Sequence, residues 1–468
     1  MIEAYNTLTG KKEALPKTDG KPLKLFVCGP TVYDYPHIGN ARTFMAFDIF
    51  VRFLRSRKAK LFYLQNITDI DDKIINRAKE QKKTWKEIAR TYEKVFFKYL
   101  KDLNISSVDK FARATDHIPE IVRQVKTLIA KKHAYLIEND GYYFDLSTFP
   151  DYGKLARRTA EQAEDGVSRI DVSDKKRNRG DFCLWKFSGK DEPGWKTELG
   201  FGRPGWHIED TAITEHFFGP QYDIHGGALD LKFPHHEAEI AQQESASGKK
   251  PFVKHWMHVG FLTVNGEKMS KSLNNFVTVE NLLKEHSADA FRMSVLMHHY
   301  RSPMDWNEKV ISDAAKNFSD ILSFVGRLDL VIKKRSGFRD GAGKTFADKL
   351  SETETSFIRA MSDDFNSPAA LAAVFSYMST VQPYLWNLSA RDAKLIKKTF
   401  TALFSSVGLV LKPPKIPRKA KLLALKREKY RSSLQFAQAD ALRKELDTLG
   451  FIVEDTPLGP FIWPKRMN

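Results

Sequence analysis

An α/β chain built on a parallel sheet, with a helical region behind it, is the fold class this sequence predicts, on three observations. A short apolar run, Leu23 to Val27, is followed by apolar residues at helical spacing and then by a second apolar run, the strand–helix–strand order of a βαβ unit. A Gly- and His-containing turn sits where the first run gives way to the helical pattern. Helical periodicity then dominates the chain beyond about residue 300. With 468 residues, length alone suggests about three domains.

The elements follow in order. Leu23 to Val27 reads as a buried strand, and from Arg42 onward Phe44, Phe47, Val51 and Leu54 mark one face of a helix. The run "KLFYLQNIT" is the second strand. A right-handed βαβ unit places a ligand at the carboxyl ends of its strands, and Cys28, His37 and Thr68 all fall there, as in a Rossmann-like domain. Residues from about 110 to 205, irregular and rich in Gly, Asp, Arg and Lys, read as an insertion into that sheet. Sheet signals resume at "YDIHGGALDL" and "MHVGFLTVNGEKMSKSL". Asp289 to Met297, Glu308 to Leu330 and Thr345 to Val410 look helical. The Pro-rich, basic stretch Leu411 to Lys421 reads as a linker, followed by one charged helix from Leu422 to Leu449 and a compact tail, "GFIVEDTPLGPFIWP". The expected division is a sheet domain over 1–300, a helical bundle over 301–411, and a linker with a small C-terminal region over 412–468.

Composition narrows the function. Lys and Arg number 75 against 58 Asp and Glu, and the resulting +17 favours a polyanionic partner through counterion release. Two cysteines, Cys28 and Cys183, do not make a disulfide scaffold and suit a reducing compartment. The N-terminus lacks a basic flank followed by an apolar core, and no run is long enough to span a bilayer, so a cytoplasmic protein without a membrane partner is expected.

Two short motifs carry phosphate chemistry. "PHIGN" places His37, Gly39 and Asn40 at a helix N-terminus, where backbone N–H groups receive a phosphate chain and the side chains donate to it. Far downstream, Lys268-Met269-Ser270-Lys271-Ser272 follows the Asn265-Gly266 turn; two lysines on a short loop can clamp a triphosphate and neutralise the charge that grows as pyrophosphate leaves. Seven of the 13 histidines, at 207, 216, 225, 235, 236, 255 and 258, crowd into one stretch, and His235 and Glu239 stand at i and i+4 on one helical face.

Together with "VCGPTVYDYPHIGNAR", "NITDIDDKI", "RPGWHIE", "DIHGG", "FPHHEAEIAQ", "GEKMSKSLNNF", "DDFNSP" and "EDTPLGPFIW", these motifs make essentially the whole chain resemble the cysteinyl-tRNA synthetase family of class I aminoacyl-tRNA synthetases. The resemblance implies a Rossmann-like catalytic domain with an inserted connective peptide, a helical bundle and an anticodon-binding tail. It implies that L-cysteine is activated with ATP and Mg2+ and transferred to tRNA(Cys). His37, Asn40, Lys268 and Lys271 would be the catalytic residues, with Gly39, Gly226, Gly227 and Asp230 completing the ATP site and Thr68 and Trp206 lining the amino-acid pocket. The family also holds one zinc ion that reads the substrate thiol. Cys28, His235 and Glu239 match three of its ligands, and Asp210 stands where the family's second cysteine belongs. A carboxylate keeps the formal charge of a thiolate but is a harder ligand. Phe436, Arg443 and Asp455 would reach the anticodon. A tRNA-independent cysteine ligase and a non-catalytic RNA-binding paralogue are the alternatives, and a monomer is the working expectation for oligomeric state.

Overall fold

The structure, a computed structural model, describes residues 1–17, 20–158, 173–269, 275–335 and 343–465. It forms two compact units, Met1–Asn281 with Tyr300–Met304, and Leu282–His299 with Asp305–Asn468.

The first unit is organised by five strands: β1 (Leu23–Val27), β2 (Leu61–Ile67), β3 (Lys110–Arg113), β4 (Tyr222–Ala228) and β5 (Val253–Val259). All pair in parallel, in the spatial order β5-β4-β1-β2-β3. The order reverses between β1 and β4, so the crevice beyond their carboxyl ends is the topological switch point at which open α/β sheets bind ligands. Strands this apolar need both faces covered. One contiguous core joins Phe26, Leu64, Ala112, Tyr222 and Trp256 of the sheet to residues of the helices and loops around it.

Helix α1 (Ile38–Ser56) follows β1, and Phe44, Phe47, Val51 and Leu54 are all buried, as their spacing predicts. Buried Arg42 donates to the backbone oxygens of Gly260, Phe261 and Ser302, pinning α1 to the loop beyond β5 and to the segment around Ser302. Two further helices carry site residues, α2 (Ile208–Phe218) and α3 (His235–Ser247). Helix α3 is buried almost throughout although most of its residues are polar. That is tolerable only if each polar group finds a partner. Glu237 accepts from the Gly153 and Ala156 N–H groups, Glu244 from Lys154 and the Phe252 N–H, and Gln242 donates to the His207 carbonyl.

Between β3 and α2 lies an antiparallel sheet of five strands within 134–204, whose Phe144, Phe182, Leu184 and Trp185 join the same core. The stretch read from sequence as an insertion from about 110 therefore opens with β3, a member of the parallel sheet.

In the second unit, Ala288–Leu296, Glu308–Lys334, Gly343–Ser362, Ser367–Val381 and Ala390–Ser405 are helical. The single helix expected from Leu422 to Leu449 is two, Arg418–Ser432 and Phe436–Thr448. The break is at exposed Leu434, whose φ of 60° lies in the left-handed region that no helix of L-residues can continue through. A hairpin, Phe451–Thr456 with Gly459–Pro464, closes the chain and lays Phe461 and Trp463 over Gly326 of the long helix. Among the described residues no helix is long and apolar enough to cross a membrane.

Candidate functional site

The carboxyl ends of β1 and β4 and the N-terminus of α1 border a cavity of about 250 Å3. Cys28, His37, Asn40, Thr68, Trp206, Asp210, Asp230 and His235 line it, bringing together eight residues singled out from the sequence.

At one end is the turn into α1. His37 is the N-cap, and its Nδ1 accepts from the Asn40 N–H at 3.4 Å, which leaves the proton of the neutral ring on Nε2. Gly39 is dictated by closeness, since a Cβ there would lie 2.9 Å from His37 Nδ1. The first turn carries no acidic side chain, so the positive end of the helix dipole is not offset. Gly226 and Gly227 do not line the cavity but support its floor. The Gly226 carbonyl accepts from the Cys28 N–H at 3.1 Å, and a Cβ on Gly226 would strike the Phe47 ring at 2.2 Å.

At the other end, Cys28, Asp210, His235 and Glu239 are all buried, with their ligating atoms within 4.8 Å of one another. β1 delivers Cys28, the first turn of α2 delivers Asp210, and successive turns of α3 deliver His235 and Glu239. His235 Nε2 lies 3.1 Å from both Asp210 Oδ2 and Glu239 Oε1. Its ring is aimed by two neighbours: His207 holds Nδ1 at 2.8 Å, and Trp206 stacks on the face at 4.4 Å. Thr68 shares a short hydrogen bond with buried Glu209, beside Asn66, whose Oδ1 in turn accepts from the Gly29 N–H.

Burial and mutual repulsion between the acidic groups dominate the electrostatics of this cluster. Burial first, and then the charges of Glu239 and Asp210, push the Cys28 thiol up. Burial pulls the His235 imidazole down, but Glu239 and Asp210 outweigh it and lift it to about 10. Burial drives Glu209 up as well, with Asp210 adding to the rise. Asp210 Oδ1 and both Glu239 oxygens are buried without a well-aligned donor among the described residues. One sulfur, one nitrogen and carboxylate oxygens, buried and under-satisfied, fit a divalent metal such as zinc.

Two histidines that the sequence reading left without a role also face this sulfur. His225 Nε2 is 3.3 Å and His236 Nε2 3.2 Å from Cys28 Sγ. The signal was present in "DIHGG" and in the pair His235-His236, but only the fold shows that both rings turn toward Cys28.

Of the remaining expected residues, Lys268 pairs its backbone with Thr263 in a short strand, its side chain lying outside the described residues, as does Lys271 altogether. In the second unit Phe436 opens its helix 56% exposed, and Arg443 is exposed on the same helix. Asp455 accepts from Arg427 and pairs with Arg431 at 2.7 Å.

Comparison with known proteins gives the family. A family model described as the tRNA synthetases class I (C) catalytic domain matches residues 14–316, and the DALR domain model matches 356–412. A cysteine–tRNA ligase of Thermococcus gammatolerans is 40% identical over 476 residues, covering 99% of each chain. The chain belongs to the cysteine–tRNA ligase family. Members that match it at nearly full length include those of Methanococcus maripaludis, at 38% identity with 99% of each chain covered, and Legionella pneumophila, at 39% with 98% of each covered. The fold of this ligase family is shared more widely. A structure of Mycobacterium tuberculosis methionyl-tRNA synthetase in complex with methionyl-adenylate superposes with a TM-score of 0.60 at 18% identity, covering 83% of this chain and 89% of that one.

Proposed function

We propose that this chain is a cysteine–tRNA ligase that joins L-cysteine to ATP, forming cysteinyl-adenylate and pyrophosphate, and passes the cysteinyl group to the 3′ end of tRNA(Cys). The observation that carries the reading is one cavity with the N-terminus of α1 at one end and buried Cys28, Asp210 and His235 at the other, with Glu239 clustered behind them. Such a cavity fits a substrate with phosphate at one side and a thiol at the other.

In this reading His37 donates from Nε2 to phosphate oxygen, Asn40 assists, and Lys268 and Lys271 neutralise the pyrophosphate as the cysteine carboxylate oxygen attacks the α-phosphorus. Asp230, which lines the cavity, would accept from the ribose hydroxyls, and the Gly226-Gly227 backbone would support the floor beneath the nucleoside. Thr68, held by Glu209, and Trp206 orient the amino acid. The terminal ribose hydroxyl of the tRNA then attacks the acyl carbon, and AMP leaves. Neither step needs a covalent enzyme nucleophile, so positioning and charge stabilisation carry the rate.

Cys28, Asp210, His235 and Glu239 would hold zinc, which supplies a Lewis-acid seat for the substrate thiolate. The need for such a seat is quantitative. Shape and hydrogen bonding separate near-isosteres such as cysteine and serine by only ~1–3 kcal/mol. Arg443 would meet phosphate, Phe436 would stack on an anticodon base, and Asp455 would act near it. Magnesium would accompany ATP.

ATP–pyrophosphate exchange with cysteine, serine or no amino acid, followed by charging of tRNA(Cys), tests the assignment. Cysteine-dependent exchange with charging is expected. Exchange without charging favours a tRNA-independent ligase, and no exchange with any amino acid overturns the catalytic reading.

A further inference from the structure

Behind the four clustered donors, the sulfur of Cys28 faces a second set. His225 Nε2 and His236 Nε2 stand 3.3 and 3.2 Å from it, and His225 Nε2 lies 3.4 Å from Glu239 Oε2. With metal–sulfur bonds of about 2.3 Å and metal–nitrogen bonds of about 2.0–2.1 Å, the edges of a tetrahedral ligand cage measure roughly 3.3–3.6 Å. The observed spacing approaches that cage. Each ring is also anchored at its other nitrogen, as ligating imidazoles are. His225 Nδ1 meets Tyr222 OH at 2.6 Å; His236 Nδ1 meets His258 Nε2 at 2.8 Å, and His258 Nδ1 meets Thr7 Oγ1 at 2.9 Å.

We propose that Cys28, His225 and His236 form a second metal seat, taking a divalent ion that prefers nitrogen and sulfur, behind the seat made by Asp210 and His235. The two seats share Cys28. Glu239 borders both, presenting Oε1 to His235 and Oε2 to His225. They differ in access: Asp210 and His235 line the cavity, whereas His225, His236 and Glu239 do not. An ion in the rear seat is out of reach of a substrate and occupies the thiolate that the front seat needs.

They differ in softness too. Asp210 makes the front seat one sulfur, one nitrogen and two oxygens, while the rear seat offers one sulfur and two nitrogens, so a softer ion is drawn backward. The rear seat is therefore an inactive parking position whose occupancy rises with the softness of the metal. This inference rests on reading the front cluster as a metal site, and its test separates the two.

The full-length chain, stripped by chelator, is titrated with Co2+ while the thiolate-to-cobalt absorption and the bound stoichiometry are followed. The Asp210→Ala/His235→Ala double variant is expected to bind one Co2+ with the thiolate band retained. Adding His225→Ala and His236→Ala should then cut its affinity at least a hundredfold. Cobalt binding by the wild type but not by the double variant, or binding there without the thiolate band, overturns the rear seat and leaves the front one standing. No cobalt bound by the wild type overturns both. Should the double variant not fold, judged by circular dichroism, 113Cd resonances of the wild type and of Asp210→Asn decide. A signal unmoved by Asp210→Asn supports the rear seat, and a signal shifted or lost by it overturns that seat.

Discussion

Asp210 is the residue on which this site turns. A carboxylate there keeps the negative charge of a thiolate, but it binds a borderline-soft ion less well. Asp210→Cys is therefore expected to tighten zinc binding about tenfold and to raise the preference for cysteine over serine. Competition with a chromophoric chelator and the ratio of the two exchange rates measure these effects. In the proposed reaction Lys271 would neutralise the leaving pyrophosphate, so Lys271→Ala should slow exchange by about 10²-fold, the scale of losing one preorganised charge-stabilising group, with cysteine binding nearly unchanged by equilibrium titration. His235 and Glu239 were legible together in the sequence because i and i+4 positions share a helical face, and Cys28 through the family resemblance. His225 and Glu209 were not, because their roles come from contacts 197 and 141 residues apart along the chain, to Cys28 and Thr68.

Among the elements, α1 shows how a motif extends beyond the residues that line the cavity. Arg42, two residues past Asn40, is buried, and its guanidinium satisfies three backbone carbonyls. Burial alone lowers it to about 10, so it stays charged at neutral pH. Arg42→Ala would strand those carbonyls and cost ~3 kcal/mol, read as a lower urea midpoint. Helix α3 teaches the opposite lesson about periodicity. A helix buried on all sides is usually apolar, whereas this one is full of His, Glu and Gln. Its polar side chains divide between loop anchors (Glu237, Gln242, Glu244) and donors facing Cys28 (His235, His236, Glu239). Sequence supplied the helix. Only the packing separates the anchors from the donors.

For the whole molecule, the proposed division of labour between the sheet-bearing and helical units sets the expectations. Truncation after residue 411 should spare adenylate formation, whose proposed residues lie within 28–271, but reduce charging of tRNA(Cys). Comparing exchange with aminoacylation on the shortened chain checks this. Within the second unit, hydrogen bonds from Arg427 hold Asp455 below the usual carboxylate range despite the opposing effect of burial. A folded pKa below the unfolded value of about 3.9 means stability that is present above pH 4 and lost as pH falls through the folded value. The side chain is 40% exposed, so the contribution is expected to stay under ~1 kcal/mol. The gap in urea midpoint between wild type and Asp455→Asn should shrink as pH drops from 7 toward 3.

Local chemistry in the sequence determined the βαβ opening, the turn into α1, the apolar helical spacing of α1 and the pairing of His235 with Glu239, because each depends on neighbours within about a turn or a strand. The break at Leu434 escaped it: a left-handed residue between two helices carried no glycine or proline to announce it. Tertiary structure alone decided that β1 and β4 lie side by side. That adjacency, bridged by the Cys28 N–H on the Gly226 carbonyl, brings residues 28, 210, 225, 235, 236 and 239 around one sulfur atom. No local pattern encodes it, since the burial of long-range apolar surface fixes the order of the strands.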